Sequence, residues 1–514
     1  MFQFFLEKKT LSLFRFLSVR VCVCVLAMDG NCFIQVDVNG EEVFVVDKRV
    51  ISAYSERIRK FLCKLRDATG NLKVIFHGFP GGVEGFELIA RFCYNKGKTS
   101  INASNIFPLA SAAEYMEMNK LVDGGENLCE QIEASLEEIK YWRWSEVVMA
   151  LKQCENQCVG GVSLAVHDKL LSSLVGRIVS CSETSPSPSA SSSDSSCDTR
   201  SLESSKSSSA RAMWWFDELV VLDARVIEMV VKLMVCRNID SALISRFLFH
   251  YQKSRSASAS CGERVRLVEA VVEMLGILDV RCVSCKSLFE LLRVAVKLRV
   301  SRQSRNKVES AIGSLLDQAM LDDLLIPSSP SRCYLYNVNL VLSFLKSFLG
   351  KGAGSVESSR VAHVAKLIDS YLAEIAPDPC LKPSKFLAVI RGLPDSARDS
   401  FNGVYHAVNL YLEVHPGLSE EERWRLCCSI NYEKLSPPVL SHLTENARFP
   451  SEHVALALVF QRSKHEEVSN LEGGRVKGCD EVLVCMKMQP QIVKMRKSRI
   501  SRLVYGRSLP LFCS

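Results

Sequence analysis

The chain has 514 residues, 47% of them hydrophobic and 24% charged, the balance of an ordinary folded protein with room for two or three domains. A formal net charge of +7 is too slight over this length to point to nucleic acid, and aromatic residues are not interleaved with basic ones in a groove-like pattern. The 21 cysteines are scattered, several (Cys93, Cys129, Cys427) inside apolar helical patterns where a thiol acts as a small hydrophobe, and this usage reads as a reducing, intracellular environment.

At the start, Lys8 and Lys9 precede an apolar stretch in the manner of a targeting segment. Arg15 and Arg20 interrupt that stretch, so no run is long enough to span a bilayer. A signal peptide or anchor competes here with an upstream extension that has Met28 as the working start. Everything after Met28 reads as intracellular, which favours the extension, and residues 1–30 are expected to stand outside the fold. No other window approaches a transmembrane length.

Phe33 to Val38 alternates as a strand does, Asn39-Gly40 is a strong hairpin turn, and Glu42 to Val46 is the partner strand. Helical stretches are expected around Ile51 to Leu65, a strand over Leu72 to Phe76, and helix again from Phe86 to Tyr94. The glycines of Gly78-Phe79-Pro80-Gly81-Gly82 do not complete a phosphate-binding motif. Lys140 to Ser180 reads as helical, with Trp142, Trp144, Val147, Val148 and Leu151 as a core-facing stripe. Composition then breaks. Ser182 to Ser209 is more than half serine and offers too little apolar surface to offset the entropy of ordering, which predicts a disordered linker open to phosphorylation.

Order is expected to resume at Trp214-Trp215-Phe216. Val226, Ile227, Val230 and Leu233 then share one helical face, and amphipathic helices follow near Arg264–Leu278, Lys286–Val300, Val308–Met320, Val338–Phe348 and Ala362–Ile375. From Val404 to Phe460 the start and stop signals are explicit. Pro416-Gly417 ends one helix, Ser419 with Glu422 has the form of a capping box, Pro437-Pro438 suit a first turn, and Pro450-Ser451 opens the next helix. The tail from Val482 to Ser514 carries seven lysines and arginines and no acid. It is a solvated basic end or an electrostatic contact with an anionic membrane surface.

The motifs hold no catalytic array. No HExxH or GxSxG is present, and His415 and His442 read as capping or packing groups. Cys282-Val283-Ser284-Cys285 is the sole CxxC and has no second pair of ligands, so neither a metal nor a cofactor is expected.

Four segments carry a resemblance. Tyr405, Tyr411, His415, Pro416, Leu418, Ser419, Cys427, Lys434, Leu435, Ser436, Asn446, Pro450 and Phe460 match the ordered C-terminal signature of the plant non-phototropic hypocotyl 3 (NPH-type) family. Glu445 and Ala447 depart from it, as does the Pro437-Pro438 pair. Trp214 to Leu219 is similar to the opening of that family's helical domain. Phe79 to Asn95 and Asn105 to Leu121 resemble a BTB/POZ module of the same family, with Asp47-Lys48 where His-Lys is usual.

The resemblance implies an α+β BTB/POZ domain over residues 31–123 and a helical extension over 124–181. The serine linker (182–209) then leads to an all-helical domain over 211–464 and a basic tail over 465–514. It implies a non-enzymatic adaptor whose BTB module docks a cullin-3-type ubiquitin ligase while the helical domain holds an unidentified target. The alternative is a signalling scaffold at the plasma membrane, and the location is cytoplasmic or at that membrane's periphery. BTB modules commonly pair, so a homodimer is expected, with the Phe33–Val38 strand as an exchanged edge. The family's phosphorylated tyrosine corresponds to Tyr405, which the sequence places near a helix start where amides and dipole favour a phosphate.

Overall fold

The computed structural model describes residues 32–64, 72–119, 127–154, 161–183, 213–328, 334–350 and 357–471. They are mostly helical, with a small sheet near the start of the chain. Residues 1–31, most of the serine stretch and the basic tail lie outside the described residues, and so do the expectations attached to them.

Strands β1 (Phe33–Val38), β2 (Glu42–Asp47) and β3 (Lys73–Phe76) form a sheet of order β2-β1-β3. β1 pairs antiparallel with β2 and parallel with β3. Asn39 (φ 57°) and Gly40 (φ 73°) both occupy the left-handed region that a tight hairpin turn requires, and Gly40 N donates to Asp37 Oδ1 at 3.0 Å. Alternation fixes the faces. Ile34, Val36, Val38, Val46, Val74 and Phe76 are buried, whereas Val43, Val45 and Ile75 look outward. β1 is the central strand, so it cannot serve as an exchanged edge. That expectation is corrected by the parallel crossover to β3, which places β2 and β3 at the margins.

The helical stretches expected around Ile51 to Leu65 are two helices, α1 (Lys48–Tyr54) and α2 (Glu56–Lys64), parted at Ser55. Ser55 is buried and its hydroxyl donates to Met116 O at 2.8 Å, so a distant backbone carbonyl sets the break. Asp47 has a structural reason to be acidic. Its side chain caps α1 by accepting from Arg49 N at 2.7 Å. α3 (Gly82–Tyr94) begins after Gly81 (φ 74°), and a side chain at Gly85 would meet Pro80 O at 2.6 Å. These glycines serve backbone geometry.

α4 (Ile106–Tyr115) lies in the core, with every residue from Ile106 to Ala113 buried. α5 (Leu128–Glu137), α6 (Trp144–Gln153) and α7 (Gly161–Glu183) follow, so the single helical stretch expected from Lys140 is interrupted. Next come α8 (Phe216–Leu219), α9 (Ala224–Cys236), α10 (Ser241–Ser258), α11 (Cys261–Leu275), α12 (Cys285–Leu298) and α13 (Arg302–Ser314). α14 (Leu321–Leu324), α15 (Val338–Leu349), α16 (Ser358–Ile375), α17 (Pro383–Ile390) and α18 (Asn402–Val414) continue the chain. α19 (Glu420–Cys427), α20 (Pro437–Thr444) and α21 (Ser451–Leu471) complete it.

The chain forms two compact units: residues 1–319 with 343–353, and residues 320–342 with 354–514. The division falls within α15 and not at the serine stretch, because the flanks of that stretch pack together. α7 packs on α9 and α6 on α8. The Trp144 and Trp214 rings meet edge-on with centroids 4.7 Å apart. Trp144 therefore contributes less to the core than its stripe suggested: Val147, Val148 and Leu151 are buried beneath it, while it stays half-exposed. No helix among the described residues is long and apolar enough to cross a membrane.

Candidate functional site

The signature segment builds a set of contacts between buried tyrosines and histidines in the second unit. Ser419 and Glu422 form the expected capping box of α19, and Pro437 and Pro438 occupy the first turn of α20. With the helix ends fixed in this way, α18 presents Tyr405 and Tyr411 to the interior, where both are fully buried.

The Tyr405 hydroxyl lies 2.6 Å from Nδ1 of His442 on α20, and Asn446 Nδ2 approaches the same oxygen at 3.3 Å. Asn446 Nδ2 also donates to Asn409 Oδ1 at 2.7 Å, while its own oxygen accepts from Arg448 N at 3.1 Å. Phe449 stacks on the Tyr405 ring at 5.4 Å. Burial holds the Tyr405 phenol above its ordinary pKa, against the lowering effect of the Asn446 hydrogen bond. Tyr405 is the fourth residue of α18 with its ring inside, so its hydroxyl faces His442 and not the free amides of the first turn.

Six residues further on, Tyr411 donates its hydroxyl to Leu381 O at 2.5 Å. Its ring is stacked between Phe386 (4.3 Å) and His415 (3.9 Å). His415 Nδ1 sits 2.9 Å from Tyr411 O at the end of α18, so this histidine caps and packs.

The third contact joins Tyr432 to His453 of α21, hydroxyl to Nδ1 at 2.8 Å. His453 Nε2 is 3.7 Å from Cys428 Sγ. Burial lowers the imidazole to about 4 and raises the thiol to about 11. A cysteine nucleophile needs a thiolate beside an imidazolium. Here burial favours the neutral forms of both partners, so the contact is a packing and hydrogen-bonding one.

Lys434 of the KLS segment donates Nζ to Asp395 O at 2.9 Å and to Arg398 O at 2.5 Å. The same loop delivers Arg398 to Asp369 at 2.8 Å, and only 1% of the arginine side chain is exposed. Burial raises the Asp369 carboxyl and outweighs the neighbouring guanidinium. Ser436 and Asn402 exchange two hydrogen bonds of 3.0 Å. The signature residues thus brace the second unit internally. Sequence spacing gave no sign of the Tyr432–His453 or Asp369–Arg398 pairs, because each partner sits on a different element.

Cys282 and Cys285 do not converge as ligands: Cys285 is buried at the start of α12 and directs its thiol at Leu315 O, 3.6 Å away. Among the described residues no cluster of three or more histidine, cysteine or acidic side chains could hold a metal.

Comparison with known proteins identifies the class. Residues 213–439 match the NPH3 family. The BTB/POZ domain-containing protein At3g22104 of Arabidopsis thaliana is 42% identical over 516 residues, covering 95% of this chain and all of the relative. At1g50280, also a BTB/POZ domain-containing protein of Arabidopsis thaliana, is 35% identical over 84% of this chain and 88% of its own length. SETH6 from the same plant, likewise named as a BTB/POZ domain-containing protein, is 30% identical over 85% and 72%. No solved structure matches the chain. The chain belongs to the NPH3 family.

Proposed function

We propose that this protein is a non-enzymatic, substrate-recognition adaptor of a cullin-3-type ubiquitin ligase. The N-terminal α/β module, read as a BTB/POZ fold, docks the cullin, and the helical region holds the protein to be ubiquitinated. The observation that carries the reading is full-length similarity to a relative named for its BTB/POZ domain, in a chain whose second half belongs to the NPH3 family. The internal bracing of the signature segment agrees with a rigid presenting scaffold, since its polar side chains are directed at one another.

The docking surface is drawn from solvent-facing residues. The Ala112-Ala113-Glu114-Tyr115-Met116 segment matches BTB modules, but Ala112, Ala113 and Met116 are fully buried. It marks the fold and is not itself the contact. Self-association of the module, cytoplasmic location near the plasma membrane, and modification of Tyr405 belong to the same reading. Modification would require the α18–α20 contact to open first. Titration of the purified chain with a cullin-3 N-terminal region tests the proposal: micromolar binding supports it, and no binding overturns it in favour of a membrane-associated scaffold.

A further inference from the structure

We propose that the outer face of α2 docks an acidic, amphipathic segment of a partner protein, at a place separate from the buried signature helix α4. On α2, Ile58 is buried and Leu62 half-buried. Arg57, Lys60, Phe61 and Lys64 follow the i, i+3, i+4, i+7 spacing of a single helical stripe on the other side. Phe61 is 39% exposed, and the Lys60 side chain is 57% exposed. Lys64 is exposed and has no ion-pair partner among the described residues.

Charge selects the partner. The helix carries four cations (Arg57, Arg59, Lys60, Lys64) and one acid, Glu56. Glu117 adds a second acid, 2.5 Å from Lys60 and 4.0 Å from Arg57. Arg59 is drawn aside to Glu56 at 3.0 Å, and the Arg57 guanidinium lies over the Tyr115 ring at 4.2 Å. What faces solvent is an uncovered phenylalanine framed by an excess of positive charge. A second copy of the same face would set lysine against lysine, whereas an acidic segment with an apolar residue satisfies both the charge and Phe61.

The test uses the full chain and a fluorescein-labelled glutamate-rich peptide with a central leucine, followed by fluorescence anisotropy, with the glutamine-for-glutamate peptide as control. The glutamate peptide should bind and the control should not, and affinity should fall severalfold between about 50 and about 500 mM salt. Lys60→Gln with Lys64→Gln should weaken binding about tenfold, and so should Phe61→Ser. Glu117→Gln releases Lys60 and should strengthen binding severalfold. A purely structural role for these side chains would not produce that opposite sign. Lys64→Gln alone, at a residue without an ion-pair partner among the described residues, keeps the test readable if the double variant misfolds. Equal binding of both peptides, or unchanged affinity across the variants, overturns the proposal. It is also overturned if phosphatidylserine vesicles, rather than the peptide, capture the chain in a lysine-dependent way, or if the variants change only the oligomeric state.

Discussion

The hydroxyl of Tyr405 lies 2.6 Å from Nδ1 of His442, and Asn446 closes the other side of the phenol. The tyrosine therefore joins α18 to α20 from within. Replacing it with phenylalanine removes one acceptor from the buried Asn446 amide and the bond to the exposed His442 imidazole. Tyr405→Phe should destabilise the protein by about 0.5–1.5 kcal/mol, read as a lower urea midpoint at unchanged slope.

The same geometry predicts how Tyr405 responds to a tyrosine kinase. The native chain should resist modification, and His442→Ala, which removes the closing partner, should accelerate it. Peptide mapping by mass spectrometry over a time course separates the outcomes. Rapid modification of the unaltered protein would mean that α18 opens freely.

Stability should depend on pH through His453. Burial lowers its imidazole from 6.5 to about 4. Between those values the unfolded chain binds a proton that the folded chain refuses, so stability rises with pH across the window and is lost on acidification. The effect is on the order of 3 kcal/mol at its full extent. Denaturant titrations at pH 4.5 and pH 7, run with the His453→Gln variant alongside, should show the variant with a smaller pH dependence.

Asp369 and Arg398 form a buried pair, so removing the acid strands the base. Asp369→Ala should cost about 3–5 kcal/mol, larger than typical surface changes. Thermal unfolding of single and double variants measures it. Removing Arg398 as well should recover part of the loss.

Cleavage within the serine stretch should not separate the flanking parts. Trp144 meets Trp214 across it, and α7 packs on α9. After limited proteolysis the two fragments should co-elute on gel filtration, and Trp214→Ala should promote their dissociation. Fragments that part at once would place the compact boundary at the serines after all.

Legibility in the sequence followed locality. The Asn39-Gly40 hairpin, the Ser419–Glu422 capping box and the Pro437-Pro438 helix start are set by neighbours within a few residues, and each appears in the structure. α10 (Ser241–Ser258) was missed although Ile244, Phe247, Leu248 and Tyr251 have helical spacing and are buried; its polar end, Ser254 to Ser258, reads as loop. The break at Ser55 and the central place of β1 depend on partners far along the chain, Met116 and β3, which no short window contains. For Tyr405, position near a helix start was legible, but the direction of its ring was not. His442 lies 37 residues away, and only the packing of α18 on later helices brings them together.

The aromatic clasp of Trp144 and Trp214 also governs what evolution or engineering can do with the serines between Glu183 and Met213. Both ends of that segment are held by folded neighbours, and the entropic cost of holding two chain ends together grows only with the logarithm of the length between them. Doubling it would cost about 0.6 kcal/mol. Insertions, reporter tags or added phosphate-acceptor sites placed there should leave the first unit folded, making this the cheapest part of the chain in which to write a new signal.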